Sequence, residues 1–505
     1  MATNEATLVL DHRFAVGDVP ARLFGSFVEQ AGRGVYNGLY EPDHPHADEN
    51  GFRRDVLDLV RELGVTTVRY PGGNYVSGHR WEDGTGPRHL RPRRLELAWH
   101  GVEPNTFGLD EFALWARTAG VEPMLAVNLG TRGVLEALDM LEYCNGTAGT
   151  FQADRRRANG KAEPFDVRIW CLGNEPDGPW QLGHTDALHY GRLARQTASG
   201  MHMMDPDLEL VVAGSSGTDM PTYGSWERIV LEETYDDVDF ISAHQYYFEK
   251  GDDLSGYLSA AVDFDSYLHS VISTIDHVKS VRRSSHRVDV SVDEWGVWYQ
   301  LDHGHEVVNG EWPVGGPRLE DRYSAADAVV YGSMLISLLK RVDRVRAASA
   351  AQLVNVIAPI MTEDRGRAWR QTIFHPFAAV SSTIGSMVLR PALASTTLVT
   401  DRFGEVPSVD AVGLFDEDAG TATVFAVHRD TAAPAEFTID ASTLGVVAAA
   451  SATTLTDVDP RRKGLGSPSD PSPAHVPVSV EGSRIVVELP AASWNVIRIE
   501  LGASA

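Results

Sequence analysis

The sequence contains almost no cysteine and no excess of basic residues. Cys144 and Cys171 are the only cysteines among 505 residues, and neither has Cys or His neighbours at the short spacing of a metal site. A disulfide framework is therefore not expected. Lys and Arg number 44 against 70 Asp and Glu, a formal net charge of -26. This balance argues against nucleic-acid binding and against anionic membrane surfaces.

Targeting signals and cofactor motifs are also absent from the sequence. The first ten residues, MATNEATLVL, have no basic region and no long apolar core, and no run is long enough to span a membrane. We therefore expect a cytoplasmic protein. The sequence has no phosphate-binding Gly-rich loop ending in Lys-Ser/Thr and no His-Glu-x-x-His, so we expect neither a cofactor nor a metal.

The first informative stretch is a short apolar run, RIWCLGNEPDGPW at 168–180. An apolar run bounded by Gly173 and Pro176 indicates a buried strand that opens into a loop. Asn174 and Glu175 follow that strand directly. Burial raises the pKa of a carboxylate, which suits a general acid. A loop Glu paired with an Arg is the alternative, and this stretch alone does not decide between the two.

A second stretch, VDVSVDEWGVWY at 288–299, alternates with period two and carries Glu294. Two strands thus each bring a Glu to a strand end. Glycosidic bond cleavage needs two carboxyl groups in different environments, one to protonate the leaving oxygen and one to attack or stabilise the anomeric carbon. The sequence therefore predicts a glycosidase with Glu175 and Glu294 as its catalytic pair.

Strands and helices alternate through most of the chain. Eight strands are predicted near residues 23, 66, 124, 169, 210, 239, 290 and 353. Eight such units predict a (β/α)8 TIM barrel, which we place at residues 19–380. The expected elements include a helix over 50–63 capped by Asn50 and ended by Gly64, an amphipathic helix over 324–341, and an eighth strand over 350–356.

Polar residues cluster at the predicted carboxyl ends of these strands, where barrel enzymes carry their chemistry. The cluster consists of Glu29, Arg69, Asn74, Asn128, Asn174, Glu175, His244, Tyr246 and Glu294. Gln352 belongs with them but is expected nearer the start of its strand. The long loop at 75–107 holds Trp81, expected to pack locally, and Trp99. The Gly- and Pro-rich segment 301–320, with His303, His305 and Trp312, is expected to be a flap whose histidines are exposed rather than metal ligands.

Beyond Phe377 the pattern changes to short alternating runs between turn signals. Residues 385–503 are rich in Val, Thr, Ala and Pro. This pattern is typical of an all-β sandwich. We place that domain at 381–505 and expect the N-terminal strand at 6–18 to join it.

Six motifs together make the chain resemble glycoside hydrolase family 51, the α-L-arabinofuranosidases, over nearly its whole length. They are LFGSFVE (23–29), VRYPGGN (68–74), GNEP (173–176), HQYY (244–247), VDEWGVWY (292–299) and QLVNVIAP (352–359). Several barrel glycosidase families share an Asn-Glu pair, but all six motifs in this order and spacing are highly specific.

The resemblance implies a retaining mechanism, with Glu175 as acid/base and Glu294 as nucleophile. It implies that Glu29, Asn74, Asn174, Tyr246 and Gln352 hold the furanose, with Arg69, Trp99 and His244 close by. It further implies an arabinofuranosyl oligosaccharide substrate, a jelly-roll-like C-terminal sandwich and an intracellular homo-oligomer, often a hexamer.

Three departures from the family pattern flank the expected sugar site. Gln30 replaces a usual His, Gly34 replaces a usual Cys, and residues 100–108 read HGVEPNTFG where the family has RSTETNEFG. They leave the preferred furanoside and aglycone open. The leading hypothesis is exo-hydrolysis of terminal α-L-arabinofuranosyl residues. The alternatives are the same fold acting on a β-D-xyloside or another furanoside, and a non-catalytic sugar-binding protein. Two buried acids are costly to hold together, which argues against the last.

Overall fold

A closed barrel of eight parallel strands forms the larger part of the molecule. The computed structural model describes residues 4–147, 149–299 and 311–502. The barrel strands are β1 Gly25–Phe27, β2 Thr67–Tyr70, β3 Glu122–Ala126, β4 Ile169–Leu172, β5 Glu209–Val212, β6 Phe240–Tyr247, β7 Asp289–Val297 and β8 Val345–Ala350. β8 pairs in parallel with β1 and closes the ring. The predicted (β/α)8 barrel is confirmed.

Helices connect the strands and cover the barrel. Their bounds are Arg54–Leu63, Leu109–Ala119, Val134–Asn145, Phe151–Ala158, Ala187–Met204, Ser225–Thr234, Leu254–Leu258, Ala261–Arg282, Ala325–Leu339 and Phe374–Ser381. Short 3-10 turns lie at Ala21–Phe24, Asn74–Gly78, Trp81–Gly84 and Arg88–Leu90, and a hairpin pairs Arg94–Glu96 with Gly101–Glu103. Over the described residues, we find no helix that combines the length and apolar character needed to cross a membrane.

The first barrel helix begins later than predicted. It starts at Arg54, so the expected cap at Asn50 is wrong. The carboxylate of Asp48 instead accepts hydrogen bonds from the backbone N–H groups of Asn50 and Phe52, at 2.9 and 2.8 Å, and turns the chain ahead of the helix. Gly64 ends the helix in the left-handed conformation, with φ of 78°, as predicted.

The predicted eighth strand over 350–356 is also displaced. β8 ends at Ala350, so Gln352 follows the carboxyl end of its strand rather than lying near its start. β8 lies close to β1: a Cβ on Gly25 would lie 2.4 Å from the carbonyl oxygen of Ala348, so this position of β1 requires glycine. The branched side chains of Val356 and Ile357 pack into a hydrophobic cluster instead.

The C-terminal part is a sandwich of two sheets around its own hydrophobic core. The five-stranded sheet has the order Ala392–Ser395, Asn4–Val9, Ala435–Asp440, Arg484–Leu489, Val478–Glu481. The seven-stranded sheet has the order Ala15–Asp18, Met387–Leu389, Val409–Asp416, Thr421–His428, Ser493–Leu501, Val447–Leu455, Ala474–Val476. Two further hairpins pair Ile360–Thr362 with Ala368–Arg370 and Thr397–Thr400 with Gly404–Pro407. The domain bounds 19–380 and 381–505 stay a prediction.

The helix Ala325–Leu339 is buried on every side, so the expected amphipathic pattern is wrong. Strands Thr421–His428 and Ser493–Leu501 of the sandwich cover the face that points away from the barrel. At this contact a Cβ on Gly332 would lie 2.2 Å from the Trp494 ring. A helix that is enclosed by two packed layers has no face exposed to solvent, so it needs no stripe of charged residues.

Candidate active site

A β-bulge directs two consecutive acids toward the barrel interior. Side chains of a regular strand alternate between faces, so Asp293 and Glu294 could not normally point the same way. In the stretch that ends at Glu294, β7 advances three residues while β6 advances two. This extra residue lets both acids contact Arg69. Asp293 Oδ2 lies 3.8 Å from Arg69 Nε, and Glu294 Oε1 accepts from Arg69 Nη1 at 3.0 Å.

The Glu294 carboxylate is surrounded by donors. Tyr246 donates its hydroxyl to Oε2 at 2.8 Å, and His244 Nδ1 lies 3.7 Å from the same oxygen. Burial alone would raise the pKa of Glu294, but the charges of His244 and Arg69 and the hydrogen bond from Tyr246 outweigh burial and lower it. Glu294 is therefore held in the ionised form.

Glu175, which follows β4, has the opposite tendency. Its Oε1 lies 2.9 Å from His244 Nδ1, and its Oε2 accepts a hydrogen bond from Trp180 Nε1 at 2.7 Å. Burial raises the pKa of Glu175, and the negative charge of Glu294 raises it further, against the lowering effect of these two hydrogen bonds. The two glutamates are thus driven toward different protonation states, as an acid and a nucleophile require.

The two carboxyl groups are close together. One oxygen of Glu175, one ring nitrogen of His244 and one oxygen of Glu294 all lie within 4.8 Å of one another. Inverting glycosidases keep their carboxyl groups about 6.5–9.5 Å apart to admit a water, whereas retaining enzymes hold them at about 5–5.5 Å. The two carboxyl groups are therefore near enough to act on one glycosidic bond.

The same three side chains form one group, among the described residues, that could hold a metal ion. Their oxygens already accept hydrogen bonds from Trp180, Tyr246 and Arg69. A cation would have to displace these donors and would face the guanidinium charge of Arg69. The arrangement suits proton transfer and nucleophilic attack better than metal binding.

Glu29 forms a second buried carboxyl site just beyond β1. It accepts hydrogen bonds from Gln352 Nε2 at 3.0 Å, from the backbone N–H of Tyr75 at 3.2 Å, and from the Trp99 side chain. Burial raises the pKa of Glu29 to about 8. Gly73, with φ of 58°, passes so close that a Cβ would lie 2.3 Å from this carboxylate, so only glycine fits there.

Several of the buried polar atoms that have no hydrogen-bond partner among the described residues lie in or beside this site, and three of them could contact a ligand. They are Asn174 Nδ2, Gln352 Oε1 and the indole Nε1 of Trp298. Asn174 is held by Arg69, whose Nη2 donates to its Oδ1. Buried polar groups in native proteins are almost always paired. These atoms are therefore available for the hydroxyl groups of a ligand.

Most of the predicted site residues come together here. Glu29, Trp99 and Gln352 form one hydrogen-bonded group, and Arg69, Asn174, Glu175, His244, Tyr246 and Glu294 form a second. The two groups are near enough that the charge of Glu294 raises the pKa of Glu29. Asn74 is half-buried in the turn that follows Gly73. Asn128 does not join them: its amide donates to the His79 carbonyl at 2.9 Å and caps its own loop. Trp81 packs against Tyr143, with ring centres 5.1 Å apart, as expected.

Sequence reasoning missed two aromatic residues. Trp180 hydrogen-bonds Glu175 and is 51% exposed, and Trp298 packs edge-on against Tyr246 with ring centres 5.2 Å apart. Both lie within the stretches that carry the candidate glutamates Glu175 and Glu294. An aromatic residue four or five positions beyond each Glu was the available signal.

The departures from the family pattern lie beside these groups. Gln30 donates through Nε2 to the Tyr70 hydroxyl at 2.9 Å. His100 stacks on Trp312 with ring centres 3.6 Å apart, which joins the Trp99 loop to the described part of the expected flap. Residues 301–310 of that flap, including His303 and His305, lie outside the described residues.

Comparison with known proteins agrees with this geometry. Residues 59–267 match the alpha-L-arabinofuranosidase 1 domain, and residues 293–493 match the alpha-L-arabinofuranosidase C-terminal domain. An exo-α-(1→6)-L-arabinofuranosidase of Bifidobacterium longum is 50% identical, with 98% of each chain covered. An intracellular exo-α-(1→5)-L-arabinofuranosidase of Streptomyces lividans is 48% identical over 98% of this chain and 75% of its own length.

The solved structure of AbfB, a family 51 α-L-arabinofuranosidase from Bifidobacterium longum, superposes with a TM-score of 0.95. It is 47% identical and covers 99% of this chain and 100% of its own. With sequence, fold and site geometry in agreement, the chain belongs to the family 51 α-L-arabinofuranosidases, which are glycoside hydrolases.

Proposed function

We propose that this protein releases terminal α-L-arabinofuranosyl residues from arabinose-containing oligosaccharides by double displacement, with retention of configuration. The observation that carries the proposal is the close pair of Glu175 and Glu294, whose pKa values are shifted in opposite directions. The relatives named exo-arabinofuranosidases support the choice of sugar.

In the first step the Glu294 carboxylate attacks the anomeric carbon. The glycosidic bond breaks, and its electron pair stays with the leaving oxygen, which takes the proton of Glu175. Glu294 becomes an uncharged ester of the sugar. Because the charge next to Glu175 disappears, the pKa of Glu175 falls and this group can now act as a base.

In the second step Glu175 takes a proton from water while the water oxygen attacks the anomeric carbon. The ester bond breaks and returns the electron pair to Glu294. Arg69 and Tyr246, which contact the two oxygens of Glu294, stabilise the returning negative charge.

The furanose is held by Glu29, Asn74, Asn174, Tyr246 and Gln352, with Arg69, Trp99 and His244 supporting them. The free Nδ2 of Asn174 is placed to donate to the sugar 2-hydroxyl, a contact that strengthens in the transition state. Glu29, with its raised pKa, carries a proton near neutral pH and can donate it in a hydrogen bond to a second hydroxyl.

We further propose a cytoplasmic homo-oligomer, a hexamer by family resemblance. Five leucines of the described residues are more than half exposed, as expected of residues covered in an assembly: Leu90, Leu95, Leu97, Leu135 and Leu465. The Streptomyces lividans relative is named intracellular. Size-exclusion chromatography with light scattering measures the assembly, and a monomer at micromolar concentration would contradict the proposal.

Aglycone release from an aryl α-L-arabinofuranoside, beside the aryl β-D-xylopyranoside, tests the reaction. We expect fast release from the first alone, with product of retained anomeric configuration in NMR. Faster release from the xyloside would favour the alternative substrate. No release from either by folded protein, or product of inverted configuration, would contradict the proposal.

Linkage is tested separately with α-(1→5)- and α-(1→6)-linked arabinofuranosyl disaccharides. The Bifidobacterium longum and Streptomyces lividans relatives are almost equally similar to this chain but are named for different linkages. The ratio of kcat/KM on the two disaccharides decides between them. Glu294→Ala serves as the control, since it removes the nucleophile from both reactions.

A further inference from the structure

A loop of the β-sandwich reaches the barrel behind the candidate active site. Residues 456–473 connect strands Val447–Leu455 and Ala474–Val476. The Pro460 carbonyl accepts from the backbone N–H of Ala326 at 2.8 Å, and the N–H of Gly464 donates to the Tyr323 carbonyl at 2.9 Å. These bonds fix the loop against the first turn of the buried helix Ala325–Leu339.

Lys463 extends from this loop to two barrel residues. Its ammonium lies 3.3 Å from Asp327 Oδ2 and 3.6 Å from the centre of the Tyr299 ring. The Asp327 side chain is 0% exposed, and it also accepts hydrogen bonds from the hydroxyls of Tyr257, at 2.6 Å, and Tyr299. A buried carboxylate is costly unless it is paired and hydrogen-bonded, and Lys463 brings the cation.

Tyr299 connects this ion pair to the sugar site. Its neighbour Trp298 donates its backbone N–H to the Tyr247 carbonyl at 3.0 Å and packs its indole against Tyr246. Tyr246 in turn donates to Glu294. A continuous series of contacts therefore runs from the sandwich loop to the candidate nucleophile.

We propose that Lys463 is a positioning residue, supplied by the β-sandwich, that holds Tyr299 and Trp298 in place as a wall of the sugar site. Lys463 fixes Tyr299 in two ways. Its ammonium lies over the Tyr299 ring, and it pairs with Asp327, whose carboxylate accepts a hydrogen bond from the Tyr299 hydroxyl. Site residues require support of this kind, because small displacements of a wall weaken substrate positioning. The kinetic part of the proposal rests on the proposed function.

The test compares three full-length variants with the wild type. Lys463→Met removes the charge and keeps the chain length, whereas Lys463→Arg keeps the cation. Arg462→Met is the matched control, because the adjacent Arg462 pairs with Asp457 of its own loop, its Nε donating at 3.0 Å. With an aryl α-L-arabinofuranoside, we expect Lys463→Met to raise KM roughly tenfold and the other two variants to stay near wild type.

Hydrogen exchange followed by mass spectrometry gives a measurement that needs no substrate. We expect the backbone amides of Trp298 and Tyr299 to exchange faster in Lys463→Met than in Lys463→Arg or Arg462→Met. The proposal would be overturned if these amides exchange at the same rate in all four proteins. It would also be overturned if Lys463→Met has an unchanged KM and a kcat that decreases only in proportion to the fraction of folded protein.

Two further results are interpreted separately. If Lys463→Met does not fold, Tyr299→Phe replaces it: this variant keeps the ring but loses the hydroxyl bond to Asp327, and it should also raise KM and speed exchange at Trp298. Unchanged values would overturn the proposal. A wild type inactive on the furanoside contradicts the proposed function, whereas the exchange comparison still decides the role of Lys463.

Discussion

The hydrogen bond from Trp180 to Glu175 leads to a prediction about the pH profile. The indole Nε1 donates to Glu175 Oε2 at 2.7 Å and favours the ionised carboxylate. Trp180→Phe keeps an aromatic ring but removes the donor. Without the donor the ionised form is less stable, so the pKa of Glu175 rises. The acid stays protonated to higher pH, and the alkaline limb of kcat/KM moves upward.

The size of this movement follows from the strength of the bond. A hydrogen bond to a charged group contributes about 1.5–3 kcal/mol, and one pKa unit corresponds to about 1.4 kcal/mol. Trp180 is 51% exposed, so water replaces part of the lost bond and the lower end of the range applies. We therefore expect the alkaline limb to move up by about one pH unit.

The assay is the pH dependence of kcat/KM on an aryl α-L-arabinofuranoside, since this parameter reports the free enzyme. Phe151→Ala is the control: Phe151 is an exposed aromatic side chain on the helix Phe151–Ala158, and its loss should leave the limb in place. If the alkaline limb of kcat/KM in Trp180→Phe stays in place or moves to lower pH, the result would refute either the hydrogen bond from Trp180 to Glu175 or the role of Glu175 as the acid.

Three further predictions concern catalysis and stability. Glu175→Ala should slow substrates with poor leaving groups by about 100- to 10,000-fold but spare those with good ones, and equal losses on both would contradict its role as acid. Glu29 has a pKa of about 8 when folded against an ordinary 4.5, so its contribution to stability falls as pH rises between these values. In urea unfolding, the free energy of unfolding of Glu29→Gln should therefore rise relative to that of the wild type by up to about 1.4 kcal/mol per pH unit between about pH 5 and 8. A difference between the two proteins that does not change with pH would contradict a buried, protonated Glu29. Gly332→Ala, with its Cβ 2.2 Å from the Trp494 ring, should lower the free energy of unfolding by about 1–3 kcal/mol. Gly133→Ala, whose Cβ would have 3.9 Å of clearance, is the control, and equal effects of the two would show that the packing at Trp494 adapts without cost.

The position of Gln352 illustrates where sequence reasoning failed. Val354, Val356 and Ile357 favour a strand by their intrinsic preference, yet the strand that pairs with β1 and closes the barrel is Val345–Ala350. The buried helix Ala325–Leu339 is a similar case. Its few polar residues suggested a solvent face, but the sandwich covers that face. In both cases the deciding neighbour is distant in the sequence.

The sequence by itself determined the barrel, the sandwich, and the placement of Glu175 and Glu294 on two of the barrel strands, because strand and helix periodicity and turn residues are local properties of the chain. Only the tertiary structure decided that a bulge turns Asp293 and Glu294 the same way, that the pKa values of the two glutamates shift in opposite directions, and that Lys463 lies beside Tyr299. These features depend on burial and on charges brought together from far along the chain, which no local pattern encodes.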